Sequence, residues 1–385
     1  MTELETNTGP RIAYIRTSDR QTFRRCRRKW GWNSGLKQNL TSTVIQEQFW
    51  VGKAMHFALE DYHGYNVYGS PTKAILAFKH AWDLSRLQLP DNSQENLDLL
   101  IGMMGHYENW LIRRDPLKTY WYEGYPQVEV RYDIPLDFDL TNHPLYDEVH
   151  HSGALDRVVE DDFGGLWIVE YKSAKQFDVI KFDVDAQVSS YSWAASVLYD
   201  RPIQGVIYQQ HLKRIPEPAR LLRSGKYSTD QRQYTTWDIY NKALKELYGD
   251  VAKAPAENIE MLNFLAEGES ENHDRFIRRD KVHRNQHQIE AEGVKILLEL
   301  EDILNPNIPL YPNPTWDCSW DCKEFITPCV MLDSGDDWLG ELAMSTAQRE
   351  EVPETWRLHL PEPEIQEKRH DRYFERKRIQ ARRRL

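Results

Sequence analysis

This 385-residue chain has no apolar run long enough to span a bilayer, and its opening, "MTELETNTGPRIAY", lacks the apolar core of a secretory signal. A cytoplasmic protein with no membrane segment is the resulting expectation. Net positive charge is missing too. Lys and Arg number 49 against 60 Asp and Glu, a balance of −11, which argues against a generally basic protein that coats nucleic acid. There is no G-x-x-x-x-G-K-[ST] loop, so the chain is not an ATP-driven motor on its own, and there is no internal repeat. Cysteine is scarce: only Cys26, Cys318, Cys322 and Cys329 occur, the last three within "CSWDCKEFITPC". Disulfides are not expected in a cytoplasmic chain, where clustered thiols point to a metal site. Four thiolates suit zinc or an iron–sulfur cluster, and their spacing alone leaves both open.

What is present fits a globular protein with a sizeable core, rich in Trp and Tyr and long enough for one large domain or two ordinary ones. Charge is unevenly spread. Residues 11–29 carry Arg11, Arg16, Arg20, Arg24, Arg25, Arg27, Arg28 and Lys29 against Asp19 alone, and the tail 367–385 is strongly basic. "DRFIRRDKVHRNQ" (274–286) adds Arg275, Arg278, Arg279, Lys281 and Arg284. Such runs either contact phosphates or are merely solvated, and the sequence leaves both readings standing.

Hydrophobic periodicity predicts a short helix within 18–36, started by Ser18 or Asp19, and a second over 48–65. In the second, Phe49, Met55, Leu59 and Tyr62 form one face and His56, Glu60 and His63 another. Helices are expected at 72–87 and 93–113, then strands at 125–136, 148–161 and 165–174, the last two joined by the turn signal "DDFGG". A helix at 183–200, a strand at 203–213, a loop over 214–233 and helices near 235–250 and 280–304 follow. The prolines of "NPNIPLYPNPTWDC" (305–318) forbid a continuous helix.

The stretch "GGLWIVEYKSAKQ" (164–176) sets Glu170 and Lys172 two residues apart in an apolar strand, so both charges share one face. Asp156 ends the apolar part of the preceding strand, where hairpin pairing can bring it beside Glu170. Paired carboxylates call for a cation, and oxygen donors suit Mg²⁺ or Mn²⁺, which can acidify water and offset charge on a phosphodiester. Lys172 would orient that water or offset the same charge.

With these residues in place, the chain resembles the PD-(D/E)XK nuclease superfamily, and more narrowly the RecB-like exonuclease family that includes the AddB nuclease and CRISPR-associated exonucleases. The family's G-x-x-x-H is matched by Gly52 and His56, its G-x-x-D by Gly153 and Asp156, its E-x-K by Glu170 and Lys172, and its Q-x-x-x-Y by Gln187 and Tyr191. The order of the cysteines, one before the core and three after, matches members holding a [4Fe–4S] cluster. The triplet here is C-x3-C-x6-C, where the usual form is C-x2-C-x5-C.

The resemblance implies an α/β nuclease core, a central mixed sheet flanked by helices, over residues 14–330, with 331–385 as an extension ending in the basic tail. It implies His56, Asp156 and Glu170 as metal ligands with the Tyr171 carbonyl as a fourth; apart from the resemblance, Glu60 is a candidate addition. Lys172, Gln187 and Tyr191 would complete the catalytic set, and Cys26, Cys318, Cys322 and Cys329 would hold the cluster, with zinc the alternative. The expected activity is metal-dependent DNA exonuclease cleavage in recombination, repair or processing. DNA is the expected partner, together with a helicase or recombination protein. The rivals are a catalytically idle DNA-binding accessory protein on the same fold and a structural zinc protein with an incidental E-x-K.

Overall fold

The computed structural model describes residues 10–43, 47–84, 93–177 and 182–349; the basic tail at 367–385 lies outside them. The chain opens with β1 (Ile12–Ile15), α1 (Thr17–Arg25), α2 (Arg27–Asn33) and β2 (Leu40–Ser42). Three helices follow: α3 (Glu47–His63), α4 (Pro71–Leu84) and α5 (Ser93–Arg114). Short strands β3 (Lys118–Thr119), β4 (Trp121–Tyr122) and β5 (Tyr125–Pro126) lead into the long ones, β6 (Val128–Pro135), β7 (Glu148–Glu160) and β8 (Leu166–Ala174). Helix α6 (Ala186–Tyr199) carries the chain to β9 (Ile203–Leu212). Beyond it come α7 (Trp237–Tyr248), α8 (Ala256–Glu267), β10 (Ile277–His283) and α9 (Gln286–Ile303), then α10 (Cys318–Asp321), α11 (Ile326–Ser334), α12 (Trp338–Ser345) and β11 (Thr346–Gln348).

The main sheet runs β1-β7-β8-β9-β10, with β6 and β3 on the other edge of β7. It is mixed: β8 and β9 are parallel, joined through α6, while β6, β8 and β10 each run antiparallel to a neighbour. The expected α/β class is therefore the observed one. Alternation along β8 sorts its side chains between two helical layers. Trp167, Val169 and Tyr171 pack with α3, α4 and α5, whereas Leu166 and Ile168 pack with α6 and the start of α9. Ala13, Ile15, Phe23 and Trp30 from the N-terminal elements close on Leu300 and Ile303 at the far end of α9.

Several expectations change. The helix expected within 18–36 is two helices, because Cys26 takes an extended conformation (φ −155°, ψ 108°) and caps the second. The helix expected over 280–304 begins only after Asn285; the preceding "IRRDKVH" is β10, paired with β9 along its length. Its alternation was masked by arginine at a buried position: Arg279 lies in the core, held by Asp115 at 2.7 Å and by the Gln209 side-chain carbonyl at 2.8 Å. Helix α8 and strand β1 were not foreseen.

The two basic runs turn out to be stitched to acids and carbonyls. Arg20 is fully buried between Glu292 and Glu299. Arg11, Arg24, Arg25, Arg27, Arg28 and Lys29 each pair with an Asp or Glu. In the second run, Arg278 pairs with Asp280, Arg275 donates to the Gln233 carbonyl and Arg284 donates to Ser189 Oγ. Among these described residues the runs work as internal fastenings.

Candidate active site

The site begins with a fork in the sheet. Strand β7 spends one edge on β6, and its other edge is shared in succession by β1, paired at residues 148–151, and β8, paired at 157–160. Residues Ser152–Asp156 lie between, with neither partner on that edge. Asp156 stands where β7 and β8 part. Its Oδ2 accepts the Tyr171 backbone N–H at 2.8 Å, replacing a ladder bond. A strand residue points its N–H and C=O to the same edge, so the Tyr171 carbonyl also faces the fork. The opening lets groups from both layers meet: His56 comes from α3 on one face, while Glu170 and Lys172 continue the opposite-facing set of Leu166 and Ile168.

Gly153 has a local reason for its lack of a side chain, since an added Cβ would lie 2.5 Å from the Tyr132 hydroxyl. Gly52 has none, because a Cβ there would meet open space. Helix α6 starts at its cap Asp185, which accepts the Gln187 N–H at 2.9 Å and the Tyr208 hydroxyl of β9 at 2.7 Å, fixing the helix end against the sheet. One turn on, Tyr191 Oη accepts from Gln187 Nε2 at 2.7 Å.

His56, Asp156 and a residue missed in the sequence, Glu129 of β6, bring one ligand atom each to within 4.8 Å of one another. His56 Nδ1 is 3.4 Å from Glu129 Oε1 and 3.5 Å from Asp156 Oδ1. The β6–β7 register pairs Val128 with Arg157 and Val130 with Leu155, bracketing Glu129 and Asp156, and Glu129 has a left-handed backbone (φ 44°). That position became readable only once the register was known. Glu60, the candidate addition, lies outside this group, yet burial and Glu129 raise its carboxyl to about 8, with His56 opposing. His63, on the same helix, turns inward to the Tyr107 hydroxyl at 2.8 Å and stacks on the Tyr171 ring.

Glu170 is almost fully buried. Its Oε1 accepts from Lys172 Nζ at 2.5 Å and from Gln187 Nε2 at 3.1 Å. Its Oε2, also buried, has no hydrogen-bond partner among the described residues. Burial and the nearby Asp156 push the Glu170 carboxyl up to about 7 despite Lys172. Burial likewise raises Asp156, against the opposing pull of His56. For His56, burial lowers the pKa but Asp156 and Glu129 outweigh it, and the imidazole rises to about 9. The Lys172 ammonium is held charged by Glu170, which overcomes its burial. Acids that resist ionising, beside a histidine that resists neutrality, form a cluster short of positive charge.

Two or three carboxylates with one imidazole and an orphaned buried oxygen are donors that suit a hard divalent ion such as Mg²⁺ or Mn²⁺. The fit is good.

Away from the fork in sequence, the cysteines come from segments nearly three hundred residues apart. Cys26 Sγ accepts the Lys29 N–H at 3.5 Å, and Cys318 Sγ accepts the Thr315 N–H at 3.4 Å. Burial raises the Cys322 thiol, with Lys29 opposing and Cys318 and Cys26 adding to it; among the described residues no three of these sulfurs form a close donor group such as the one at the fork. Cys329 accepts from the Arg28 guanidinium at 3.3 Å. Lys29 and Arg25 bind Asp321 across the same junction.

No curated protein matches this sequence. Among solved structures, that described as "Crystal structure of SSO0001" is 14% identical and covers 58% of this chain and 76% of its own, with a TM-score of 0.19. The model of the PD-(D/E)XK nuclease superfamily matches residues 17–324, a span that takes in the fork, His56, the E-x-K pair and α6, and the chain belongs to that superfamily.

Proposed function

We propose that this chain is a divalent-metal-dependent deoxyribonuclease that works from DNA ends, in recombination, repair or processing. His56, Glu129, Asp156 and Glu170 would hold Mg²⁺ or Mn²⁺, with the Tyr171 carbonyl on the same strand edge. A bound ion would supply Lewis acidity toward a phosphodiester and its attacking water. The protein's own groups do the rest. The Lys172 ammonium, half-exposed beside Glu170, offsets negative charge as it builds on the phosphate. Gln187, tied to both Glu170 and Tyr191, keeps that carboxylate and Lys172 in one orientation.

The observation that carries this reading is the unpartnered Oε2 of Glu170. Leaving a buried acceptor unsatisfied costs about 1–3 kcal/mol, and a protein that only binds DNA gains nothing from it. The test is digestion of end-labelled single- and double-stranded DNA with Mg²⁺ and with Mn²⁺, comparing the unmodified protein with Asp156→Ala. Metal-dependent shortening from an end, lost in the variant, is the expected result; equal cutting by both removes Asp156 from the chemistry.

We also propose a [4Fe–4S] cluster on Cys26, Cys318, Cys322 and Cys329, with zinc as the alternative occupant. Support comes from the donor set and its cationic surroundings, Arg25, Arg28 and Lys29, which favour thiolates. Such a site would fasten the chain's ends and leave the phosphate chemistry to the fork. A helicase or recombination protein is the kind of partner the family implies.

A further inference from the structure

The segment between β9 and α7 leaves the sheet at the end that carries the E-x-K pair. Lys172 is paired with Gln210 and Ala174 with Leu212, and the Lys213 N–H donates to the Ala174 carbonyl at 2.7 Å. From there "KRIPEPARLLRSGKYSTDQRQY" (213–234) holds six basic residues against two acidic ones, in a chain of net −11. Part of it folds back as a hairpin. Ser228 N–H donates to the Arg220 carbonyl and Leu222 N–H to the Lys226 carbonyl, both at 2.8 Å, around Gly225 at φ 76°.

The base of this hairpin is firmly held. Tyr240 Oη donates to the Ser228 carbonyl at 3.0 Å, Asn258 Nδ2 to the Tyr227 carbonyl at 2.9 Å and Gln233 Nε2 to the Ser228 carbonyl at 2.8 Å. Ile215 packs against α5, where a Cβ on Gly102 would meet it at 2.6 Å. Beside the base is an open pocket of about 410 Å³ where Arg214 pairs with Glu217, and Arg220 and Arg232 with Asp230. The tip is the opposite in character. Leu221 is 55% and Leu222 42% exposed, and Arg223 beside them makes no ion pair among the described residues. Among the described residues Lys226 pairs with Glu257, both half exposed, a contact of little strength.

Two adjacent exposed leucines on a rigid basic turn match how proteins part stacked bases: cations grip the phosphates and an apolar wedge enters between base steps. Resting on the nuclease reading above, we propose that the Arg220–Lys226 hairpin is a duplex-end wedge. Leu221 and Leu222 displace the terminal base pair while Arg223 and Lys226 hold the backbone, so that one strand is released toward Lys172.

The experiment uses a blunt duplex with 2-aminopurine in its terminal pair, and the same strand alone, in metal-free buffer so that binding is read without cleavage. The unmodified protein should raise 2-aminopurine emission on the duplex. Leu221→Ser with Leu222→Ser should abolish that rise and weaken duplex binding about tenfold, leaving single-strand affinity within about twofold. Arg223→Glu should weaken both DNA forms and shallow the salt dependence. No rise with the unmodified protein, or a double-serine variant that matches it, overturns the wedge and leaves the apolar tip for a protein partner. Equal losses on duplex and single strand overturn it as well. The nuclease reading fails separately: a protein that opens duplex ends but cuts neither DNA with Mg²⁺ or Mn²⁺ keeps the wedge and loses the enzyme.

Discussion

Asp156 Oδ2 takes the Tyr171 backbone N–H at 2.8 Å, so a carboxylate fills the place of a strand partner where β7 and β8 separate. The same group therefore ends the pairing and lines the opening. It does so at a cost, since burial raises its pKa against the help of His56. A carboxyl whose folded pKa is raised weakens the fold at every pH above its unfolded value. Asp156→Asn keeps an acceptor for Tyr171 and removes the charge. In metal-free buffer the variant should melt about 2 °C or more above the unmodified protein, while DNA cleavage falls about a hundredfold or more. A lower melting temperature in metal-free buffer would show that the charge is not held at a loss.

Glu129 tests whether the ligand group extends to β6. Its Oε1 lies 3.4 Å from His56 Nδ1, and with His56 and Asp156 it forms the described group of close donors. Glu129→Gln should weaken Mn²⁺ binding about ten- to hundredfold, read as a smaller rise in melting temperature per added Mn²⁺. Glu60→Gln, outside the group but electrostatically linked to Glu129 and His56, should leave most of that rise. If Glu60→Gln abolishes the rise and Glu129→Gln does not, the ligand set has been drawn on the wrong residue.

Much of the site was legible because its signals are local. The E-x-K pair needs only strand alternation, Gln187 and Tyr191 need only helical spacing, and His56 sits on a helix whose apolar face is plain. Glu129 was not legible, because its place depends on how β6 registers against β7. The buried arginines misled for a related reason. Arg20 and Arg279 read as surface charge in a sequence, and only Glu292, Glu299 and Asp115, far away along the chain, make their burial tolerable. Likewise β10 reads as helix until β9 is known to flank it. Strand pairing and ion pairing over long separations are what the sequence hides.

Buried imidazoles set an acid limit on stability. His151 Nδ1 lies 3.1 Å from the Ile15 carbonyl and Nε2 lies 3.1 Å from Ser190 Oγ, so the neutral ring is the form that fits. Burial and Arg20 lower it to about 3, and burial with Arg279 lowers His211 to about 3. The unfolded chain takes up these protons near pH 6.5 and the folded one does not. Their contribution to stability is therefore unchanged above that pH and falls as pH drops from about 6.5 toward 3. Glu170, raised to about 7, works in the opposite sense as it is protonated, so the readout is a difference: His151→Asn, which keeps a donor for Ile15, should shift the slope of melting temperature against pH in this window by close to one proton. An unchanged slope would mean His151 is already protonated in the fold.

The cysteine junction should affect stability without affecting the divalent site. Drawing Cys26 to the C-terminal triplet closes a loop of nearly three hundred residues, at a chain-entropy cost on the order of 5 kcal/mol. The Lys29–Asp321 salt bridge at 2.7 Å is partly exposed and adds little; Trp32 packs on Phe325 and Leu342 across the same junction, and the proposed metal–thiolate bonds would add to that packing. Cys322→Ser should lower bound iron (or zinc) and the melting temperature together, and should speed proteolysis around residues 310–330. Meanwhile Mn²⁺ should still raise the melting temperature as far as it does in the unmodified protein, because His56, Glu129, Asp156 and Glu170 belong to the fork. Unchanged iron and zinc content with unchanged melting would remove the metal from the junction. A lost Mn²⁺ response would instead tie the junction to the fork, through α1 and α6, whose Thr17 and Ser190 hydroxyls meet at 2.7 Å.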